Sequence, residues 1–260
     1  SLNLSSSKRF YAKLDDQFSS DNLWVYKGAR TDHYAYRGYE KAPDGSYIIN
    51  SNGLMVRSQY SSLIGYTDPD LEFGLANTFR YKDFTLTLNL DGGSGGKSWA
   101  NTEFYMYETG SHPDTDNQWR YDEVVNGKKN YVAEGVKVVS GEVTYDQYGR
   151  ITSDTRVFEK NDIETSYEDY VRGSRNNPDK LVQNKTFLKL REMSIGYNLP
   201  KAWVSKLGMN SMYAGLIGQN LFVLTKDFRF SDPDGFESVE GEDLASPSVR
   251  YIGVNLKVEF

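Results

Sequence analysis

The stretch Val249-Arg250-Tyr251-Ile252-Gly253-Val254-Asn255-Leu256-Lys257-Val258-Glu259-Phe260 decides how the rest of the chain is read. Ile252, Val254, Leu256, Val258 and Phe260 share one parity, while Tyr251, Asn255, Lys257 and Glu259 share the other. Successive side chains of a strand point to opposite faces, so the pattern makes a ribbon with one oily and one wet surface. Ending on an aromatic, it reads as a membrane β-strand.

Composition agrees with that reading. The 260 residues are 38% hydrophobic, with a mean hydropathy of -0.64. No stretch approaches the roughly 18 uninterrupted apolar residues of a membrane helix, whereas a barrel strand needs only about 9–11 alternating ones, which dilutes hydropathy to this level. The 20 Tyr, 13 Phe and 4 Trp suit interfacial girdles or ligand-stacking surfaces. A net charge of -6 disfavours nucleic acid, whose phosphates demand a surplus of Lys and Arg. The absence of Cys excludes disulfides, c-type haem and thiolate metal sites. No charged segment followed by an apolar core opens the chain at Ser1, so the expectation is a sequence that starts inside a longer polypeptide.

Two hairpins stand out. Phe73, Leu75, Phe79 and Tyr81 alternate, and after Lys82-Asp83 the pattern resumes at Phe84, Leu86, Leu88 and Leu90. A two-residue turn pairs Tyr81 with Phe84 and Phe79 with Leu86, placing both apolar sets on one face and Thr85, Thr87 and Asn89 on the lumen side. In the second, Met193 to Leu199 leads into a short helical turn over Pro200 to Leu207, then a strand over Ser211 to Val223. Pro200 and Gly208 punctuate that turn. Trp203 and Leu207, with Tyr197 and Tyr213, are expected to form an aromatic belt. The Ser211 strand is apolar on both faces, leaving its orientation open. Leu2 to Phe18 is expected to add one more strand.

Between the hairpins lie long polar stretches, Ser19 to Asp70 and Asp91 to Lys185, with an acidic one from Thr225 to Ser248. Short turns at one end and long connections at the other are the build of an outer-membrane barrel. Within the longest stretch, Gly135 to Tyr148 is expected to fold as a hairpin around Ser140-Gly141, and Asp91 to Gly96 (DGGSGG) to be a flexible exit.

Thr186-Phe187-Leu188-Lys189-Leu190-Arg191-Glu192, Ile195-Gly196-Tyr197-Asn198-Leu199-Pro200 and Gly218-Gln219-Asn220-Leu221-Phe222, in that order, resemble the final strands of the SusC/RagA family of TonB-dependent outer-membrane transporters. Ile64-Gly65, Pro69-Asp70, Gly74, Tyr81-Lys82-Asp83-Phe84, Gly95-Gly96, Asp232-Pro233 and Phe260 extend the resemblance from Ile64 to the end. Asp83 stands where the family commonly has Gly. The resemblance implies an all-β fold: a transmembrane antiparallel barrel with long extracellular loops, residues 1–260 being the C-terminal portion of a 22-stranded plugged barrel whose plug and N-terminal strands lie elsewhere. It further implies multi-pass insertion in the outer membrane and TonB-dependent uptake of oligosaccharides or peptides. The implied partners are a SusD-like surface lipoprotein, TonB acting through the plug, and outer-membrane lipid.

Catalysis gains no support, because His33 and His112 read as loop histidines outside any nucleophile or metal motif. For substrate or partner contact the candidates are the aromatics Trp99, Tyr105, Tyr107 and Trp119, with Phe104 beside them, since such rings offer broad contact area at modest entropic cost. Packing within a structured loop or against a partner protein is the plainer reading. Asp232, Asp234 and Glu237, among the acids of Ser231 to Asp243, are candidate ligands for a Ca²⁺ ion, the one cofactor the sequence suggests. A solvated acidic loop is the plainer reading. The alternative fold and function is a secreted, soluble β-sandwich that binds carbohydrate. There the same alternation faces a dry interior rather than lipid.

Overall fold

Alternating sequence becomes a long antiparallel wall. The computed structural model describes residues 1–15, 17, 23–232, 241, 244 and 248–260. Among these, six strands hydrogen-bond in chain order: β1 (Leu2–Ser5), β2 (Leu71–Tyr81), β3 (Phe84–Ser94), β4 (Phe187–Asn198), β5 (Ser211–Thr225) and β6 (Tyr251–Glu259). Tyr81 opposes Phe84 and Phe79 opposes Leu86, as predicted. Lys82 takes a φ of 52°, because a tight two-residue hairpin turn needs positive φ at its first residue.

The register sorts the two faces. Phe79, Leu86, Ile195, Leu216 and Val254 form one row directly across five strands. The flanking row on the same face is Tyr81, Phe84, Tyr197, Ala214 and Leu256. Between these rows, on the opposite face, run Arg80, Thr85, Gly196, Gly215 and Asn255. The pairing therefore fixes the orientation that the sequence of β5 left open: Leu216 joins the apolar face and Ile217 the other. Nothing among the described residues covers the apolar face. Phe79, Ile195, Leu216 and Val254 are 53%, 44%, 58% and 76% exposed, and Leu86, Leu88, Leu256 and Val258 are not buried. A sandwich would have enclosed them. The sheet is open, with β1 and β6 as its edges.

A bulge marks the middle of β4. Its register slips between Leu190 and Glu192 against both neighbours, leaving Arg191 outside the ladder. Facing it, Asn220 of β5 adopts a φ of 51°. Such an extra residue re-aims its side chain, and Arg191 makes two parallel hydrogen bonds of 2.7 Å to the carboxylate of Asp91. The connection after β4 is a helical turn, Lys201–Val204, followed by a 3-10 turn, Ser205–Leu207, and closed by Gly208 at φ 73°. Trp203 and Leu207 stand exposed on it.

Three expectations are corrected. Asp91 to Ser94 is not a flexible exit but the end of β3, paired with Leu71–Gly74 and Lys189–Phe187. Glycine is needed there because a Cβ on Gly92 would lie 2.6 Å from both the Phe187 carbonyl oxygen and the Phe73 ring. The hairpin within Gly135 to Tyr148 does not form. Val136–Ser140 pairs instead with Val157–Lys160 and, in parallel, with Ile48–Ile49, while Val143–Tyr145 pairs with Ile151–Asp154. Partners distant in sequence outcompete the local turn, and Gly141 packs against the Thr155 backbone. The N-terminal strand is shorter than expected: Leu2–Ser5 pairs with β2, and Phe10 makes a lone bridge to Arg30.

The long polar stretches fold into a layer with its own cores. Among the described residues this layer contains the helices α1 (Asn101–Thr109), α2 (Gln118–Asn126) and α3 (Tyr167–Ser174) and a single helical turn, Pro178–Leu181, which an all-β reading does not anticipate. Lys97–Trp99 pairs with Val182–Asn184 beyond the ends of β3 and β4. There Trp99, Ala100, Leu181, Val182 and Phe228 enclose one another, with Tyr34, Tyr36, Ile64, Phe104 and Tyr107 around them. A second core gathers Tyr39, Ile49, Met55 and Ala133.

Candidate functional site

The rim where the loop layer follows the wall strands carries a polar cavity of about 430 Å³. Helix α1 supplies Glu103 and Tyr107, the short strand Val182–Asn184 supplies Gln183, and the residues after β5 supply Phe230. Helix α1 stops at Gly110, whose φ of 70° lets its N–H reach back to Met106 and Tyr107. The chain then turns through His112-Pro113-Asp114. His112 Nδ1 accepts the Asp114 N–H at 3.1 Å, the side-chain-to-backbone bond that starts the 3-10 turn Pro113–Thr115.

That bond fixes the imidazole's chemistry. A neutral histidine accepts at one nitrogen and donates at the other, so with Nδ1 accepting, Nε2 bears the proton. Among the described residues the Nε2 donor has no hydrogen-bond partner. Its nearest carboxylate oxygen, on Glu103, stands 3.9 Å away, too far for a direct bond. The ring is held by stacking on Tyr107 at 4.0 Å and by Phe230 at 5.3 Å and a steep angle. Burial pushes the His112 pKa below the ordinary value; Asp114 opposes this, while Lys180 and Arg229 add to it. The imidazole is therefore neutral at neutral pH. Gln183 is the complement. Its amide nitrogen donates to the Lys180 carbonyl at 3.3 Å, and its buried Oε1 accepts from none of the described residues.

Next to this cavity, a cleft of about 510 Å³ lies among α1, α2 and α3. Glu123 of α2 takes part in its wall while capping α3: its carboxylate accepts the Ser166 hydroxyl at 2.5 Å, the Tyr167 N–H at 2.6 Å and the Glu168 N–H at 3.2 Å. Burial works to raise the Glu123 pKa, and these three donors outweigh it and hold the carboxyl below its usual value. Its charge also sits where the helix dipole favours an anion.

The structure separates the four candidate aromatics. Trp99 is sealed in the core at 5% exposure, against Tyr36 at 4.7 Å. Tyr107 lines the cavity, its hydroxyl donating to Asp114 at 2.9 Å. Burial, then that hydrogen bond, raises its pKa. Tyr105 and Trp119 are exposed, edge-on to Phe104 and Tyr131 respectively. Of the candidate metal ligands, Asp232 directs both oxygens at the Lys189 ammonium, 2.9 and 3.1 Å away, with Lys189 also donating to the Ser248 hydroxyl at 2.6 Å. Asp234 and Glu237 lie outside the described residues, among which no cluster of three metal-ligating side chains occurs. His112 and Gln183 were not singled out as contact residues because their burial depends on Phe230 and α1, distant in sequence. The one local signal was the turn-forming His-Pro-Asp triplet. His112 does lie in a loop, as read from the sequence, whereas His33 opens the strand His33–Tyr36.

The chain is 27% identical to the TonB-dependent receptor P3 of Formosa agariphila, an alignment covering 76% of the chain and 17% of that receptor. Its fold matches the solved RagAB peptide transporter with a TM-score of 0.54 at 14% identity, over 90% of the chain and 24% of the other. RagAB in its 'open-open' importer state matches with a TM-score of 0.54 at 16% identity, over 100% of the chain and 27% of that structure. No family model matches. The chain thus spans about a sixth of the curated relative and about a quarter of the solved ones. These relatives are receptors and transporters, not enzymes, in agreement with the resemblance read from β4 and β5.

Proposed function

We propose, from a chain homologous to a TonB-dependent receptor and folded like part of RagAB, that it forms wall and outward face of an outer-membrane nutrient importer. The observation that carries this reading is the uncovered apolar row Phe79, Leu86, Ile195, Leu216 and Val254. A water-soluble protein rarely exposes so continuous an apolar surface, whereas a barrel wall requires it. Strands β2 to β5, of 11, 11, 12 and 15 residues, exceed or match the roughly 9–11 needed to cross the hydrocarbon. Hydrocarbon offers no partner for unpaired strand edges, so β1 and β6 require further strands to close the barrel. In this reading residues 1–260 are the C-terminal part of a 22-stranded plugged barrel. TonB acts through the plug, and a surface lipoprotein of the SusD kind covers the loop layer. The cargo is a peptide or an oligosaccharide.

The test is replacement of residues 97–184 by a short linker within the full-length receptor. The expected result is a protein still inserted in the outer membrane but unable to support uptake of its nutrient. Undiminished uptake overturns the reading, as does recovery of the intact receptor from the soluble fraction without detergent.

A further inference from the structure

We infer that the apolar face of the wall holds a binding site for one anionic phospholipid of the periplasmic leaflet, with an acyl chain in a notch over Ala214 and the phosphate met by lysines of the two short connections beside it. This deepens, and rests on, the importer reading. In the two apolar rows set by the register, Ala214 is the only side chain smaller than valine. Phe84, Tyr197 and Leu216 rise around it to make a notch of about 320 Å³, floored by the backbone of Gly196 and Gly215. That floor is closed from behind, because Tyr213 on the opposite face occupies the place a Gly196 side chain would take. No charged group lines the notch, so its occupant is hydrocarbon. The gap left by one missing side chain is about one strand spacing wide, roughly 4.8 Å, which admits a methylene chain.

Charge supplies the second half of the recognition. The row containing Ala214 is the last before the Lys82-Asp83 turn, and short turns mark the periplasmic end of a barrel. Lys82 folds back onto the apolar face, its ammonium 5.5 Å from the centre of the Tyr81 ring, and Tyr81 stands directly opposite Phe84 of the notch. The next connection is tied to this turn, the Asn198 N–H donating to the Asp83 carbonyl at 2.9 Å. It brings Lys201 and Lys206, exposed beside Trp203 and Leu207. Among the described residues, none of the three lysines pairs with a carboxylate. Asp83 is the only acid of the two connections. At the same end Glu259 accepts the Ser211 hydroxyl at 2.8 Å, and it lies with Arg80 and Lys257 on the opposite face. Three cations against one carboxylate fit a head group of net negative charge, and lysines beside an exposed Trp suit the membrane interface.

Native mass spectrometry of the full-length receptor in detergent, titrated with phosphatidylglycerol or phosphatidylethanolamine, reads the affinity for each lipid. Glycerol phosphate is the competitor that carries the phosphate without the chains. Phosphatidylglycerol is expected to bind the more tightly and to resist displacement by glycerol phosphate. Lys82→Gln and Lys201→Gln should each weaken phosphatidylglycerol about fivefold. Ala214→Leu, which fills the notch from an already uncovered face, should weaken both lipids. Lys257→Gln, at the same end on the opposite face, should leave both unchanged. Equal binding of the two lipids overturns the assignment, as does unchanged phosphatidylglycerol affinity in either Lys82→Gln or Ala214→Leu. Displacement by glycerol phosphate overturns it in favour of a free-phosphate site. None of these results touches the importer reading, which stands or falls on membrane insertion and on uptake after replacement of 97–184.

Discussion

In the wall, Phe79, Ile195, Leu216 and Val254 lie side by side with nothing above them, whereas in the loop layer Trp99, Ala100, Leu181, Val182 and Phe228 enclose one another. The stretches richest in polar residues thus hold nearly all the buried ones, and the strands with the most regular apolar pattern bury almost none. Leu190 is the one buried apolar residue in a wall strand. On the importer reading, the contrast follows from two solvents. A strand facing hydrocarbon gains nothing by hiding its side chains, while a connection standing in water must build a core to hold any shape. Buried polar groups mostly follow the same division: Asn161, Asn177, Thr115 and Ser166 are in the loop layer, where backbone without a continuous sheet needs side chains to satisfy it, whereas Lys189 is buried in wall strand β4, paired with Asp232.

If the layers are separately stabilised, the largest effect should come from Trp99→Ala. Truncating a sealed aromatic costs about 3–5 kcal/mol. Hydrogen exchange of the full-length receptor in detergent should then accelerate around Tyr36, Leu181 and Phe228, with β4 and β5 protected as before. Acceleration spreading along β4 would show that the two regions share one stability. A charge in the wall acts on the other side of the contrast. Leu216→Arg should cost about 2–4 kcal/mol of folding free energy in lipid, read by denaturant unfolding in vesicles. Thr87→Arg, on the opposite face one register step away, should be nearly silent. Equal penalties at both positions would mean that the apolar row does not face lipid.

Glu123→Gln is smaller. It removes the charge that caps α3 while keeping one acceptor, and losses of helix caps cost about 0.5–2 kcal/mol. Proteolysis of the receptor should find new cleavage near Tyr167 without loss of the barrel. The smallest effect is on pH. Because burial lowers the folded-state pKa of His112, the unfolded chain takes up the proton first. Its contribution to stability is therefore complete above the ordinary histidine value of about 6.5 and declines as pH falls below it. Exchange in the loop layer should quicken between neutral and mildly acidic pH, and His112→Asn should flatten that dependence. Wall amides quickening in parallel would assign the effect to another group.

Much of this molecule was legible in its residues, unevenly. The hairpin around Lys82-Asp83 could be registered residue by residue, because period-two alternation and a two-residue turn leave one solution that puts both apolar sets on one face. The extent of β3 was not, since Asp91-Gly92-Gly93-Ser94 has the composition of a linker and becomes strand only because Phe73 and Phe187 close on Gly92. Gly135 to Tyr148 reads as a hairpin, having the right residues around Ser140-Gly141. Its partners, Val157–Lys160 and Ile48–Ile49, come from elsewhere in the chain. Among the candidate residues, Tyr107 lines the cavity, and the burial of His112 left no local trace because an isolated histidine says nothing about its surroundings.

By itself the sequence determined most of the wall, its two hairpins and the faces of their alternating strands, since alternation is a local property, while the orientation of β5 and the absence of a covering layer were decided by pairing. Tertiary structure alone decided the loop layer, where residues far apart in the chain meet. It created the enclosed Trp99, the Asp232–Lys189 pair and the cavity that His112 and Gln183 share. The reason is that burial and unsatisfied hydrogen bonding belong to arrangements in space, and no window of neighbouring residues contains them.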